Sequence, residues 1–220
     1  MKKIIKIILL IIMLISLINI CIWLLENNKT KQITTKAKKY ITISDNNNKI
    51  NPKIKTINED IIGWIIVDNT NINYPIVQTN NNTYYLNHDL DKNYNSAGWI
   101  FMDYKNQIDD QNLIIYGHHR RDNSMFGSID KLLDSKKEGN IKLIIDNKTY
   151  IYNIFSIYKT NKDYNYRNRN YKNFDNKIEE FKKNSIYKFN VDLSSKKQII
   201  TLSTCDSDNI NRIVIHGIKN

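Results

Sequence analysis

The chain has 220 residues, with 33 Lys and Arg against 22 Asp and Glu for a net charge of +11, and with 41% hydrophobic residues, six Gly, two Pro and two Cys. That composition fits one ordinary domain with an appendage and excludes collagen, a disulfide scaffold and a Pro/Gly-rich disordered chain. The charge names no partner, because Lys is scattered among Asn and Tyr without an RNP, zinc-finger or helix-turn-helix pattern, so no nucleic-acid partner is expected.

Lys2, Lys3 and Lys6 precede an apolar run from Ile7 to Leu25 that only Ser16 and Asn19 interrupt. As a helix, this run reaches about 28 Å, close to the thickness of a bilayer's hydrocarbon core. Residues 20–27 read ICIWLLEN and offer no small-x-small cleavage site, so the run is expected to be an uncleaved signal anchor with Trp23 near the outer interface. Lys29, Lys31, Lys36, Lys38 and Lys39 outnumber the three lysines before the span, and a plain tally would keep the domain inside. A short charged tail is nevertheless easier to retain than to export, and large C-terminal domains translocate largely regardless of charge. The expected organisation is a cytoplasmic tail over 1–6, a single membrane span over 7–25, a juxtamembrane stalk with one or two short helices over 26–60, and an extracellular domain over 61–220.

From Gly63 onward, short runs rich in Ile, Val, Tyr and Phe alternate with Asn/Asp/Gly clusters. They are GWIIV (63–67), INYPIV (72–77), AGWIFMD (97–103), NLIIYG (112–117), IKLIID (141–146), KTYIYNIFSIY (148–158), YKFNVDL (187–193), KQIITLS (197–203) and RIVIHGI (212–218). Apolar and β-branched runs bounded by turn formers are strands, and Asp146-Asn147 between two of them reads as a tight hairpin turn. So many strands with few helical patterns predict a mainly β fold, an antiparallel barrel or sandwich. Phe174, Ile178 and Phe181, at i, i+4 and i+7 among charged residues, predict an amphipathic helix laid on it, and a weaker helix is expected over 127–133.

Cys205 follows the apolar strand IITLS and precedes a polar loop, at a strand end where a thiol is more accessible than in mid-strand. A thiolate is the nucleophile of cysteine chemistry, and a neighbouring imidazole or guanidinium raises its share at neutral pH. His118 and His119 end the strand LIIYG, His88 lies in a polar loop where solvation is expected, and His216 lies in a strand where it could face solvent. Spacing alone does not choose among them. Arg212 begins the last strand, and in an antiparallel hairpin it would neighbour Cys205, although a surface pairing with Asp206 or Asp208 is the plainer alternative. Cys21 lies in the apolar run, so no disulfide is expected within the domain, and no cluster of His, Cys, Asp or Glu has metal-ligand spacing.

TLSTC at 201–205 with Arg212 downstream, IIYGHH at 114–119 and MFGSIDKLL at 125–133 together resemble the sortases, membrane-anchored cysteine transpeptidases of Gram-positive bacteria. GWIIVDNTNINYPIVQTNNNTYYLNHDL followed by AGWIFMD is similar to the class B branch, and the resemblance runs from about Asn58 to Ile218. It implies an eight-stranded sortase-type β-barrel with N-terminal helices and one added helix before the penultimate strand. It also implies His118, Cys205 and Arg212 as the catalytic group, with Ser203, Thr204 and Tyr116 lining the site and no cofactor. His119 stands where many relatives have Asn, and the segment between Cys205 and Arg212 is short for class B.

The implied reaction cleaves a C-terminal sorting motif of a secreted protein after Thr through a thioacyl enzyme. The protein then passes to an amine of a peptidoglycan stem peptide or its lipid-linked precursor. A cysteine protease and a non-enzymatic wall-binding module are the rival readings. Papain-like enzymes place Cys before His, opposite to the order here, and the QAC-type caspase motif is absent.

Overall fold

The computed structural model describes residues 2–44, 48–135, 137–194, 198–205 and 210–220. Helix α1 (Lys2–Lys38) continues without a break past the expected end of the span. Neither Gly nor Pro occurs in this stretch to interrupt it. Through Leu25 its side chains are exposed on every side, but from Asn27 onward one face is buried: Asn27, Thr30, Ile33 and Ala37 follow helical spacing and pack on the domain. The separate short helices expected in the stalk are therefore the end of α1 and a 3-10 turn over Pro52–Thr56, whose first turn Asn51 caps. Between them, strands β1 (Ile41–Thr42) and β2 (Lys49–Ile50) form a small ribbon. Most of the expected Asn run, Asn46 and Asn47, lies outside the described residues.

The domain is a closed barrel built from β3 (Ile61–Val67), β4 (Asn73–Val77), β5 (Phe101–Met102), β6 (Asn112–Tyr116), β7 (Asn140–Ile145), β8 (Lys148–Asn161), β9 (Ile199–Cys205) and β10 (Asn211–Lys219). The strand order is β10-β8-β7-β3-β4-β5-β6-β9, and β9 closes it against β10. Most pairs are antiparallel, but β4–β5 and β6–β9 are parallel, so the barrel is mixed where composition alone predicted antiparallel pairing. Helix α2 (Asp130–Ser135) follows a 3-10 turn over Gly127–Ile129, and α3 (Phe174–Asn184) precedes the penultimate strand. The β7–β8 turn falls at Asp146-Asn147, both with positive φ (49° and 58°), the geometry of a two-residue type I′ hairpin.

Ile65, Ile115, Leu143, Leu202 and Ile215 belong to the main buried cluster of the domain, and Trp64, on the opposite face of β3 from Ile65, is part of the same cluster. A second cluster lies under α3, where Ile178 and Phe181 meet Phe155, Tyr158 and Val214. Residues 187–193, expected as a strand, form none. Their alternation is real, since Phe189 and Leu193 are buried and Tyr187 and Val191 pack against the clusters. In a closed barrel, however, each neighbouring strand already has two partners, and this segment finds no edge to join. The run over 97–103 contributes only Phe101–Met102, because Gly98 turns the chain at φ +57° and the Trp99 amide bonds to the Tyr85 carbonyl instead of a strand.

Candidate active site

The parallel β6–β9 pair determines what meets at one end of the barrel. Asn112 stands opposite Ile199, Tyr116 stands opposite Ser203, and the Gly117 amide donates to the Ser203 carbonyl at 3.3 Å. Two residues further along come His118, just past the end of β6, and Cys205, the last residue of β9, so the same register carries both to one rim. On the other side of β9, Cys205 is in register with Arg212. His118, Arg212, Tyr116, Ser203 and Thr204 all line a cleft of about 310 Å³ at this rim. Asp206 and Asp208, the alternative partners for Arg212, lie outside the described residues.

His118 is half-buried and its Nε2 lies 2.6 Å from the carbonyl oxygen of Leu86. A carbonyl only accepts, so Nε2 carries the proton of this bond and Nδ1 is the nitrogen left for other chemistry. The ring is seated against Gly98. A β-carbon there would come within 2.9 Å of His118 Cδ2 and 2.7 Å of the Leu86 oxygen. The Phe126 amide donates to the His118 carbonyl at 3.0 Å and holds the backbone from behind.

The other imidazoles are engaged elsewhere. His119 Nε2 lies 2.8 Å from Asp130 Oδ2, and its residue bridges to Met125. His216 is fully buried, within 2.9 Å of the Tyr158 hydroxyl and of Thr201 Oγ1, and stacks on Phe181 at 3.8 Å between ring centres. Solvent exposure, open to it in the sequence reading, is overturned because its strand face turns toward α3. Burial, with Lys177 adding a smaller effect, holds its pKa well below that of free imidazole. His88 is not simply solvated either: it stacks on Tyr84 at 4.0 Å and bonds to the Tyr84 carbonyl through Nδ1.

Polar groups around the cleft are fixed by neighbours. Tyr116 donates its hydroxyl to Asp103 Oδ2 at 3.0 Å, and burial together with the Asp103 charge pushes the phenol pKa far up, so it stays a neutral donor. Ser203 Oγ lies 2.8 Å from the Tyr166 hydroxyl. The cleft's described lining contains the cations Arg167 and Arg212 and no carboxylate. Gly117 also borders the cleft, and Asn82, Leu86, Phe101, Tyr166 and Arg167, which were not singled out from the sequence, complete the lining. Asn82 and Leu86 fall in the stretch that resembled class B, whereas Tyr166 and Arg167 sit in the polar run YNYRNRN, which has no pattern to mark them. Among the described residues no group of three or more His, Cys, Asp or Glu gathers as a metal site.

Comparison with known proteins bears on the family and the fold. A sortase-domain family model matches residues 65–220. Sortase B of Listeria monocytogenes is 33% identical over 218 residues, covering 88% of this chain and 86% of the relative. Sortase B of Staphylococcus aureus is 36% identical over 173 residues, covering 74% and 71%. The crystal structure of sortase B from B. anthracis in complex with AAEK1 superposes with a TM-score of 0.77 at 30% identity, covering 90% of this chain and all of that one.

Proposed function

This chain belongs to the sortase family, the cysteine transpeptidases of cell-wall anchoring, and to its class B branch, and from that premise we propose that Cys205 is the nucleophile, His118 the proton carrier and Arg212 the oxyanion partner. The Cys205 thiolate attacks the carbonyl carbon that follows Thr in a sorting motif. The C–N bond breaks, the departing amine takes a proton from His118, and the acyl group stays on sulfur as a thioester. An acceptor amine then attacks the thioester and returns a proton to His118, and the sulfur leaves as thiolate. Because Nε2–H is held by the Leu86 carbonyl, Nδ1 carries the moving proton.

Arg212 supplies a planar array of N–H donors for the charge that builds on the carbonyl oxygen, a geometry that lysine does not reproduce. The cations Arg167 and Arg212 in the cleft's described lining also favour the thiolate. Tyr116, Ser203 and Thr204 border the bound peptide. The observation that carries the reading is the register of β6, β9 and β10, which brings residues 118, 205 and 212 to one rim.

Residues 7–25 of α1 form a membrane span in this reading, with residues 1–6 in the cytoplasm and the domain over 61–220 outside, joined by the segment over 26–60. Sortases act on sorting-motif substrates and cell-wall amines. The clients here are secreted proteins with a C-terminal sorting motif, and the acceptor is a peptidoglycan stem peptide or its lipid-linked precursor. The test is mass spectrometry of the protein incubated with LPxTG-, NPxTN- and PPxTG-like peptides with and without an amine. An acyl adduct on Cys205 and a ligated product are expected. Cys205→Ala abolishes both, and His118→Ala lowers turnover by about 10²–10⁴-fold, with unchanged circular dichroism. Hydrolysis indifferent to added amine, or turnover that survives Cys205→Ala, refutes the assignment.

A further inference from the structure

Beside the cleft lies a second, more polar groove of about 540 Å³, and the two share Asn82, Tyr116 and Arg167 in their walls. A chain bound in the cleft and passing over Tyr116 enters this groove without a break. Its lining holds three cations, Lys105, Arg167 and Arg169, and one carboxylate, Asp103. Asp103 is buried and already accepts from Asn82 Nδ2 at 2.7 Å, from the Tyr116 hydroxyl at 3.0 Å and from the Lys105 amide at 3.0 Å. Arg169 is committed to the wall, donating to the Lys105 carbonyl and reaching Asp110 at 3.4 Å.

Lys105 and Arg167 are therefore the lining cations with donors left to offer to the groove. Arg167 is exposed, its guanidinium lies 5.5 Å from the centre of the Tyr166 ring, and one Nη2 donor goes to the Lys162 carbonyl. A guanidinium has five donors, and its fork matches a carboxylate. Lys105 is exposed, with its ammonium 5.2 Å from the Tyr104 ring. With the family's ligands being peptides, the complementary anion is a carboxylate.

We propose that this groove is a subsite for carboxylate groups on the peptides bound in the cleft, and that it selects acidic ligands over neutral ones. The inference rests on the cleft being the active site. Two sources can supply the carboxylate: acidic residues flanking the sorting motif of the client, or a free carboxylate on the acceptor peptide.

The full-length protein in detergent micelles is assayed with a quenched sorting-motif peptide flanked on either side by four Glu or four Gln, and with triglycine or triglycinamide as acceptor. The expected result is a KM lower by about tenfold for the acidic member of one pair, a difference erased by 0.5 M salt. Lys105→Glu removes this preference and makes a Lys-flanked or amidated ligand the better one, while turnover of the Gln-flanked peptide stays within twofold. The pair that responds identifies the source. Equal KM values within both pairs, or a preference that survives Lys105→Glu, overturns the proposal. Should no peptide be turned over, the active-site assignment fails instead, and the groove is read directly by fluorescence anisotropy of labelled Glu- and Gln-flanked peptides on the same protein. Tighter binding of the Glu peptide, lost in Lys105→Glu, supports the subsite, and equal binding refutes it.

Discussion

The seat of His118 depends on a side chain that residue 98 lacks. Gly98 has φ +57°, which L side chains rarely adopt, and its missing β-carbon leaves room for the Leu86 carbonyl and the imidazole edge. Gly98→Ala is expected to cost about 1–3 kcal/mol of stability through backbone strain, measured by denaturant unfolding. It should also displace the ring and lower kcat. Gly98→Asn tolerates positive φ better but brings the same β-carbon against the Tyr85 and Leu86 oxygens, so it should regain only a small part of the stability and none of the turnover, with loss of the Nε2–H signal of His118 in nitrogen NMR. Normal kcat in either variant would dissociate the seat from catalysis. The motif TLSTC, the histidine pair and Arg212 were legible because they are side-chain patterns along the chain. The Leu86 oxygen was not, since a backbone acceptor leaves no mark in a sequence. Spacing did not choose between His118 and His119, and the family resemblance pointed to His118; in the fold His118 lines the cleft and His119 Nε2 lies against Asp130.

At the scale of elements, α3 closes over β8, β9 and β10 and traps His216 among Phe181, Tyr158 and Thr201. The neutral imidazole is the form that the fold accommodates, whereas the unfolded chain binds a proton near pH 6.5. The stability this contributes is present above that pH. It is lost as pH falls from about 6.5 toward the lower folded-state value, because the unfolded state then holds more protons. Thermal unfolding followed from pH 8 to pH 5 should show Tm falling below about 6.5, and His216→Gln should flatten that segment of the curve; an unchanged slope would contradict the assignment to His216. The helix itself was visible in the spacing of Phe174, Ile178 and Phe181, and the β7–β8 hairpin in Asp146-Asn147. Strand pairing was less so: the alternation over 187–193 describes one buried face equally well in a strand and in a segment draped over a filled sheet.

For the whole molecule, the barrel and its added helix followed from strand count and family resemblance, but the course of α1 did not. Polarity after Leu25 reads as a stalk with one or two short helices, yet the same polar residues dock: Thr30 bonds to Asn95, Glu26 to Ser96, Arg120 to Asn27, and Lys29 pairs at 3.0 Å with the buried carboxylate of Asp89. A chain beginning at residue 26 keeps these contacts and should retain full stability. One beginning at residue 40 loses buried Ile33 and the cation beside Asp89, and its Tm should be lower by about 10 °C. Equal melting of the two would show that the docked turns contribute nothing. In the proposed topology, Asn27 lies two residues beyond the end of the span, and it holds Arg120, itself two residues from His118. In that topology the enzyme would be bolted to its anchor and not leashed to it: it would explore its surroundings by gliding and spinning in the plane of the lipid, and would favour polypeptides that offer their scissile bond at one fixed height above the bilayer.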